Sequence, residues 1–286
     1  RVAYRRQLLR IAAADLYSSS PPSLFPDVGA ALADLAGGAL EAGLAIARAG
    51  EPDHAKTRLT IIGMGKCGGR ELNYISDVDV VYVCEPGTRP DGTATTEEEA
   101  LAVGTRLATG LQRVCSGTSA EPALWPVDAA LRPEGKQGPL VRTLASHVAY
   151  YERWAATWEF QALLKARPVA GDAELGRDYR DAVEDFVWSA VNRENFVEDA
   201  QAMRRRVEEH VPPAEADRQI KLGKGGLRDV EFTVQLLQLV HGRTDERIHS
   251  PHTLTALAAL AAGGYVGREH AARMGECYRF LRALEH

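Results

Sequence analysis

Four cysteines in 286 residues, at positions 67, 84, 115 and 277, fall into no paired spacing. That argues against a zinc knuckle and a disulfide framework and fits a reducing cytoplasm. No apolar run reads as reaching the roughly 18 residues a membrane span needs, and no signal peptide opens the chain, so no membrane partner is expected. A basic excess is missing too: 34 Lys and Arg stand against 39 Asp and Glu, a net charge of −5, so no overall positive field invites nucleic acid. The eight histidines include no HxxxH pair, and His147, His241 and His249 read as structural. Repeats of fixed period and low-complexity tracts are absent. Stop signals are scarce at both ends, where Arg1 enters a helical pattern directly and residues 268–286 run on without one, so a fragment of a longer protein is expected.

What is present is ordinary for a globular chain, with 45% apolar and 26% charged residues and enough length to bury a core. Helical periodicity is read at 2–16 and at 28–49, with a Ser/Pro loop over 18–26 between them and a possible break at Gly37-Gly38. Strands are read at 59–62 and 78–83, a surface loop at 85–96, and a helix over 97–114 opened by a Thr cap and an acidic turn. A third strand is read at 123–131, placed at an edge or bulge by Pro126, and a fourth at 139–142. From Thr143 onward only helices are expected, over 144–154, 157–166, 173–192, 195–210, 227–240, 254–262 and 268–285.

The chain is organised around residues 58–83, RLTIIGMGKCGGRELNYISDVDVVYV. This reads strand, glycine-rich turn, short helix, strand. Gly63, Gly65, Gly68 and Gly69 allow close approach of backbone to an anion, and the helix that follows offers free N–H groups. Asp77 and Asp79 stand at i and i+2 of a strand, so their carboxylates leave one face, roughly 7 Å apart along the backbone. Charges inside Val-Asp-Val-Val are costly unless paired or bound to a metal. With Asp128 from a later strand, the three carboxylates suit one or two hard cations, and a two-Mg2+ site would clamp an in-line phosphoryl displacement. On the helix over 157–166, Trp158, Ala162 and Lys165 share a face, which reads equally well as a nucleotide-facing surface or as core with solvated basic ends. Lys221 to Glu231 is a second glycine-rich helix opening, with an anion site and a plainly capped helix both open; Asp229 and Glu231 do not share a face. The run Arg204-Arg205-Arg206 reads as a solvated helix face.

GMGKCGGRELNYISDVDVVYV resembles the nucleotidyltransferase motif of the bacterial glutamine synthetase adenylyltransferase/deadenylylase family, within the DNA polymerase β-like nucleotidyltransferase superfamily. VDAALRPEGKQGPLVR, TWEFQALLKARPVAGD and KLGKGGLRDVEFTVQLLQLVHG are similar to later blocks of that family, in the same order, and the composition is similar to actinobacterial members. The resemblance implies an α+β fold, a polymerase-β-like core with a small mixed sheet, followed by a helical bundle and preceded by a helical lead-in. The corresponding expected divisions are 1–56, 57–143 and 144–286, the last continuing beyond the fragment.

That family carries two catalytic halves, one transferring AMP from ATP to a tyrosine of glutamine synthetase and one removing it by phosphorolysis with release of ADP. The blocks Gly138-Pro139-Leu140-Val141 and Leu222-Gly223 through Phe232 resemble the N-terminal, deadenylylating half; the transferring half and a catalytically silent docking module are the alternatives. The implied metal ligands and catalytic carboxylates are Asp77, Asp79 and Asp128, holding two Mg2+ with Mn2+ as a substitute. Gly65, Lys66, Gly68, Gly69 and Ser76 would line the phosphates. Many relatives put a basic residue where Ala130 stands, which leaves Arg132 as the cation beside Asp128. Lys165, Arg167, Lys221, Lys224 and Arg228 are the further candidates for drawing in inorganic phosphate. The implied partners are adenylylated glutamine synthetase, the PII signal protein and the nucleotides ADP and ATP.

Overall fold

The computed structural model describes residues 1–18, 21–89, 92–209, 211–212, 214 and 218–286, with the backbone alone for 21–24. Helix α1 (Val2–Leu16) leads into α2 (Pro21–Ala49). The expected loop over 18–26 is therefore shorter: residues 19 and 20 lie outside the described ones, and helix begins at Pro21. Proline is tolerated at a first helical position because its missing N–H has no intrahelical acceptor there. Nor does Gly37-Gly38 break α2. A Cβ on Gly37 would stand 3.2 Å from the carbonyl oxygen of Val169, so the small residue lets this helix lie close against the sheet.

By length and composition, residues Phe25–Ala49 meet the criteria for a membrane-crossing helix, contrary to expectation. In the fold this segment is a core helix. Leu32, Ala36, Leu40 and Leu44 are fully buried at helical spacing, and α2 packs against α1, the strand Arg167–Gly171 and the helices Glu97–Ser116 and Arg268–Glu285.

Strand β1 (Thr57–Gly63) is followed by the single turn α3 (Gly65–Gly68), strand β2 (Val78–Pro86) and α4 (Glu97–Ser116). The Thr96 hydroxyl accepts from Glu99 N, and the Glu99 carboxylate accepts from Thr96 N, so the expected cap is a full capping box. Of the loop expected over 85–96, Glu85 and Pro86 extend β2, and residues 90 and 91 lie outside the described ones. Strand β3 is only Val127–Asp128, shorter than expected because Pro126 supplies no N–H to a ladder. Strand β4 (Val141–Thr143) leads into α5 (Leu144–Arg153) and α6 (Thr157–Leu163).

Next comes β5 (Arg167–Gly171), which corrects the expectation of helices alone beyond residue 143. Five residues containing Pro168 and Gly171 show no alternation to mark a strand. The edge of β1 recruits them, with a register shift that accommodates Pro168 opposite Ile62. Helices α7 (Ala173–Ser189), α8 (Phe196–Glu209), α9 (Leu227–His241), α10 (Thr253–Ala262) and α11 (Arg268–Glu285) complete the chain.

The sheet order is β3-β2-β1-β5, with β4 also pairing β2. β1 is antiparallel to β2 and β5, whereas β3 and β4 run parallel to β2. Both faces of β2 are covered, which is why its sequence reads as a continuous apolar run. Val78, Val80, Tyr82 and Cys84 face α2 and α4. Val81 and Val83 join the opposite cluster with Phe160 and Leu163 of α6 and Leu239 of α9. Asp77 and Asp79 share the parity of Val81 and Val83, so strand geometry points them toward α6 and α9.

A buried polar network fastens α10 and α11 to the glycine-rich turn. Glu71, 1% exposed, accepts from Lys165 Nζ at 2.6 Å, from Thr253 N at 2.9 Å and from Thr253 Oγ1 at 3.1 Å. Its main-chain carbonyl accepts from the fully buried Arg282, whose guanidinium also reaches Asn73 Oδ1 and lies over the Phe25 ring. Glu71→Ala would strand the Lys165 ammonium in the interior. In urea denaturation this variant should lose about 3–5 kcal/mol, and the apolar double variant Glu71→Leu/Lys165→Met markedly less. A double variant as unstable as the single one would contradict this assignment.

Candidate active site

Parallel register sets Asp79 opposite Asp128 and Val78 opposite Val127, and Asp77 immediately precedes β2. Ligand oxygens of Asp77, Asp79 and Asp128 lie within 4.8 Å of one another. Asp128 Oδ1 accepts from Ala130 N at 2.7 Å, which orients the side chain. Burial, then the neighbouring Asp77 and Asp128 charges, push the Asp79 carboxyl up to about 6, against the pull of Lys221 and Arg228. Three hard oxygen donors this close together fit one or two divalent cations.

The turn is built onto this cluster. Met64 N donates to Asp79 O at 2.9 Å. Gly65 has φ +50°, and a Cβ there would sit 2.4 Å from Asp79 Oδ2, so only glycine permits both the turn and the carboxylate. Gly68 serves packing instead: its Cβ would fall 1.9 Å from Lys165 O. Gly69 likewise lies against Pro251 O.

A cavity of about 280 Å³ opens beside the carboxylates. At its ionic end lie Gly65, Lys66, Ser76, Asp77, Asp79, Lys165, Lys221 and Arg228. Its other walls are helix stripes: Trp158, Gln161 and Ala162 from α6, Met203 and Val207 from α8, and Glu231, Phe232 and Gln235 from α9. Spacings of three and four residues put each set on one helix face.

The expected cations separate into two groups. Lys221 and Arg228 face the carboxylates closely enough to lower the Asp79 pKa, although Arg228 also reaches Glu231 at 3.3 Å. Lys66 lines the cavity but pairs with Glu285 Oε1 at 2.5 Å, and its burial brings its pKa down to about 8. Lys165 lines the cavity while its ammonium is bound by Glu71.

Arg132 and Arg167 do not line the cavity. Arg132 donates to the carbonyls of Ala129, Lys136, Gly138 and Pro139, holding the turn after Asp128. Arg167 donates to the carbonyls of Cys67 and Gly68, bracing the glycine-rich turn from behind. Lys224 is exposed and outside the cavity lining. Ser76 Oγ donates to Asp77 O at 2.7 Å. Arg204, expected on a solvated face, instead pairs with Asp229 at 2.5 Å with only 12% of its side chain exposed.

Gln161, Gln235, Met203, Val207 and Glu231 were not identified from the sequence as site residues. The available signal was a polar stripe on otherwise apolar helices, with Gln161 three residues after Trp158, and Glu231 and Gln235 three and seven after Arg228.

A small mixed sheet carrying paired aspartates at the start of its second strand, joined to a parallel strand with a third, defines a nucleotidyltransferase core. The sequence model of the glutamate-ammonia ligase adenylyltransferase family matches residues 1–182, and the chain belongs to that family. A second family model, PII-uridylyltransferase, matches residues 201–286.

Among curated proteins, the chain is 61% identical to a bifunctional glutamine synthetase adenylyltransferase/adenylyl-removing enzyme of Streptomyces coelicolor over 288 residues, covering 100% of this chain and 28% of that protein. The enzyme of the same description from Bifidobacterium longum is 55% identical, with 100% and 26% covered. That from Mycolicibacterium smegmatis is 57% identical, with 99% and 28% covered. The chain thus spans little more than a quarter of the length of these relatives.

Without a cation, Asp79 is a source of instability. Between its unfolded value near 4 and about 6, the folded state holds a proton the unfolded state has released, so this carboxyl's contribution to stability falls as pH rises through that window. Asp79→Asn should therefore be nearly neutral at pH 4 and stabilising by about 1–3 kcal/mol at pH 7 in metal-free buffer. A constant difference across pH 4–7 in chemical denaturation would refute this.

Proposed function

We propose that this chain removes AMP from the adenylylated tyrosine of glutamine synthetase by phosphorolysis, releasing ADP, as part of the cytoplasmic control of nitrogen assimilation. One observation carries the reading: three carboxylates converge, and two of them, Asp77 and Asp79, line a cleft together with cations and apolar side chains. The phosphorolytic direction draws on the blocks at 138–141 and 222–232, and on relatives whose description includes an adenylyl-removing activity. PII would act as regulator, a role to which the uridylyltransferase-like match over 201–286 lends support.

In this reaction an oxygen of inorganic phosphate attacks the phosphorus of tyrosine-O-AMP. A new P–O bond forms, the bond from phosphorus to the tyrosine oxygen breaks, and the electron pair leaves with tyrosinate, which takes up a proton from water. Phosphate is already anionic at neutral pH, so no strong general base is required. The difficulty is bringing two anions together, and Lys221 and Arg228 offset it from the α9 side of the cleft. Asp77, Asp79 and Asp128 would hold Mg2+, which when bound supplies positive charge to the phosphoryl oxygens. Gly65 keeps the turn flush against Asp79, and side chains from α6, α8 and α9 would flank the reacting groups.

The test is ADP release from adenylylated glutamine synthetase with Mg2+ and inorganic phosphate. Phosphate-dependent ADP should appear with the native chain and fall by about 100-fold or more in Asp77→Asn. Undiminished release by the variant would overturn the carboxylate assignment. Pyrophosphate and AMP-tyrosine formed from ATP and unmodified synthetase would assign the chain to adenylyl transfer instead.

A further inference from the structure

Lys221 and Arg228, the two cations that face the aspartates, stand at opposite ends of one turn, and that turn is gripped from outside the cleft. Arg228 N donates to Lys221 O at 3.0 Å and Leu227 N to Ile220 O at 2.8 Å, so the entry and exit of the turn are laced together. Between them Gly225 takes φ +75°, which glycine adopts without strain. Asp229, in the first turn of α9, accepts from Gly225 N through Oδ2 at 2.6 Å. Its other oxygen accepts from Arg204 Nε at 2.5 Å, and Arg204 Nη2 donates to Gly223 O at 3.2 Å. One guanidinium therefore holds the turn both at a carbonyl and at the carboxylate that closes it.

Arg204 belongs to α8, a helix with little other anchorage in its second half. Only Phe196 and Ala200, both in the first half, are buried. Beyond them Met203 and Val207 line the cleft, with Arg204 beside Met203. Arg205 and Arg206 are exposed, whereas only 12% of the Arg204 side chain is. A planar guanidinium can serve a carboxylate and a carbonyl at once, a task that the single ammonium of lysine performs less well.

We propose that Arg204 is a positioning residue: through Asp229 and Gly223 it fixes the turn that presents Lys221 and Arg228 to the attacking phosphate, and it seats the second half of α8 on the cleft. Neither Arg204 nor Asp229 lines the cleft, so the pair acts through the turn and touches no substrate. Cations already fixed in place attract an anion without a further ordering cost, whereas on a loosened turn that cost falls on phosphate binding. This inference rests on the phosphorolytic reading and adds the device that holds its cations.

ADP release from adenylylated glutamine synthetase, measured as phosphate is varied, tests it in the native chain, Arg204→Met, Arg204→Lys, Asp229→Asn and the double variant Arg204→Met/Asp229→Asn. Arg204→Met keeps the apolar stem, and Asp229, with 35% of its side chain exposed, stays hydrated and bonded to Gly225 N, so this variant should fold. KM for phosphate should rise about tenfold in Arg204→Met while kcat stays within about twofold of native. Asp229→Asn should raise KM similarly, and the double variant should be no worse than the single ones, as one shared device requires. Arg204→Lys should fall between native and Arg204→Met, and Mn2+ binding should be unchanged in all of them.

An unchanged KM, a fall in kcat alone or additive losses in the double variant would overturn the inference, and so would Mn2+ binding weakened alongside, which marks a merely loosened fold. If the native chain released no ADP, the phosphorolysis would fall, and calorimetric titration with ADP and Mg2+ would decide the positioning by itself. The terminal phosphate of ADP is the former attacking phosphate, so binding about tenfold weaker in Arg204→Met upholds the inference. Equal binding by the two proteins, or none by the native one, overturns it.

Discussion

Three carboxylates held within 4.8 Å of one another repel, and the surrounding structure accommodates that repulsion. Two parallel ladder steps, Val78 against Val127 and Asp79 against Asp128, fix the distance between strands. Ala130 N orients Asp128, and Gly65 is the residue that lets the turn close over Asp79 without a clash. A bound divalent cation would relieve the repulsion, so stability and ion binding are expected to depend on the same oxygens.

Rigidity behind the site comes from a second constraint. The glycine-rich turn lacks side chains that would hold it, and it is braced from outside: Arg167 donates to two of its carbonyls, and Lys165 O packs on Gly68. Glu71, just past the turn, joins Lys165 to Thr253, and its carbonyl receives Arg282. Through these groups α10 and α11 are mechanically continuous with the turn that lines the cleft, and the Lys66–Glu285 pair adds a direct contact. The helices matching the uridylyltransferase family are thereby part of the architecture of the site.

Much of this was legible in the sequence, for reasons that can be located. Asp77 and Asp79 stood out because charges in a Val-rich strand are rare without a partner, and Asp128 followed from a second strand with the same interruption. Long helices with clear periodicity, such as 97–116 with its Thr96 cap and 268–285, were read to within a few residues. Strand β5 was not, because RPVAG has neither length nor alternation and becomes a strand only through the exposed edge of β1.

Charge alone also could not rank the cations. Arg132, Arg167, Lys165 and Arg228 are equivalent letters in sequence, but two serve backbone carbonyls, one is held by Glu71 and one reaches the cleft. The glutamines were invisible for a related reason: a Gln on a helix is ordinarily solvated, and only the facing of α6 against α9 makes Gln161 and Gln235 a pair.

The convergence of Asp77, Asp79 and Asp128 predicts one shared divalent-cation site. Mn2+ binding followed by electron paramagnetic resonance addresses it without reference to catalysis. One shared site should give saturable Mn2+ binding by the native chain that Mg2+ displaces and that Asp79→Asn or Asp128→Asn abolishes. Mn2+ binding of undiminished affinity in both variants would contradict it.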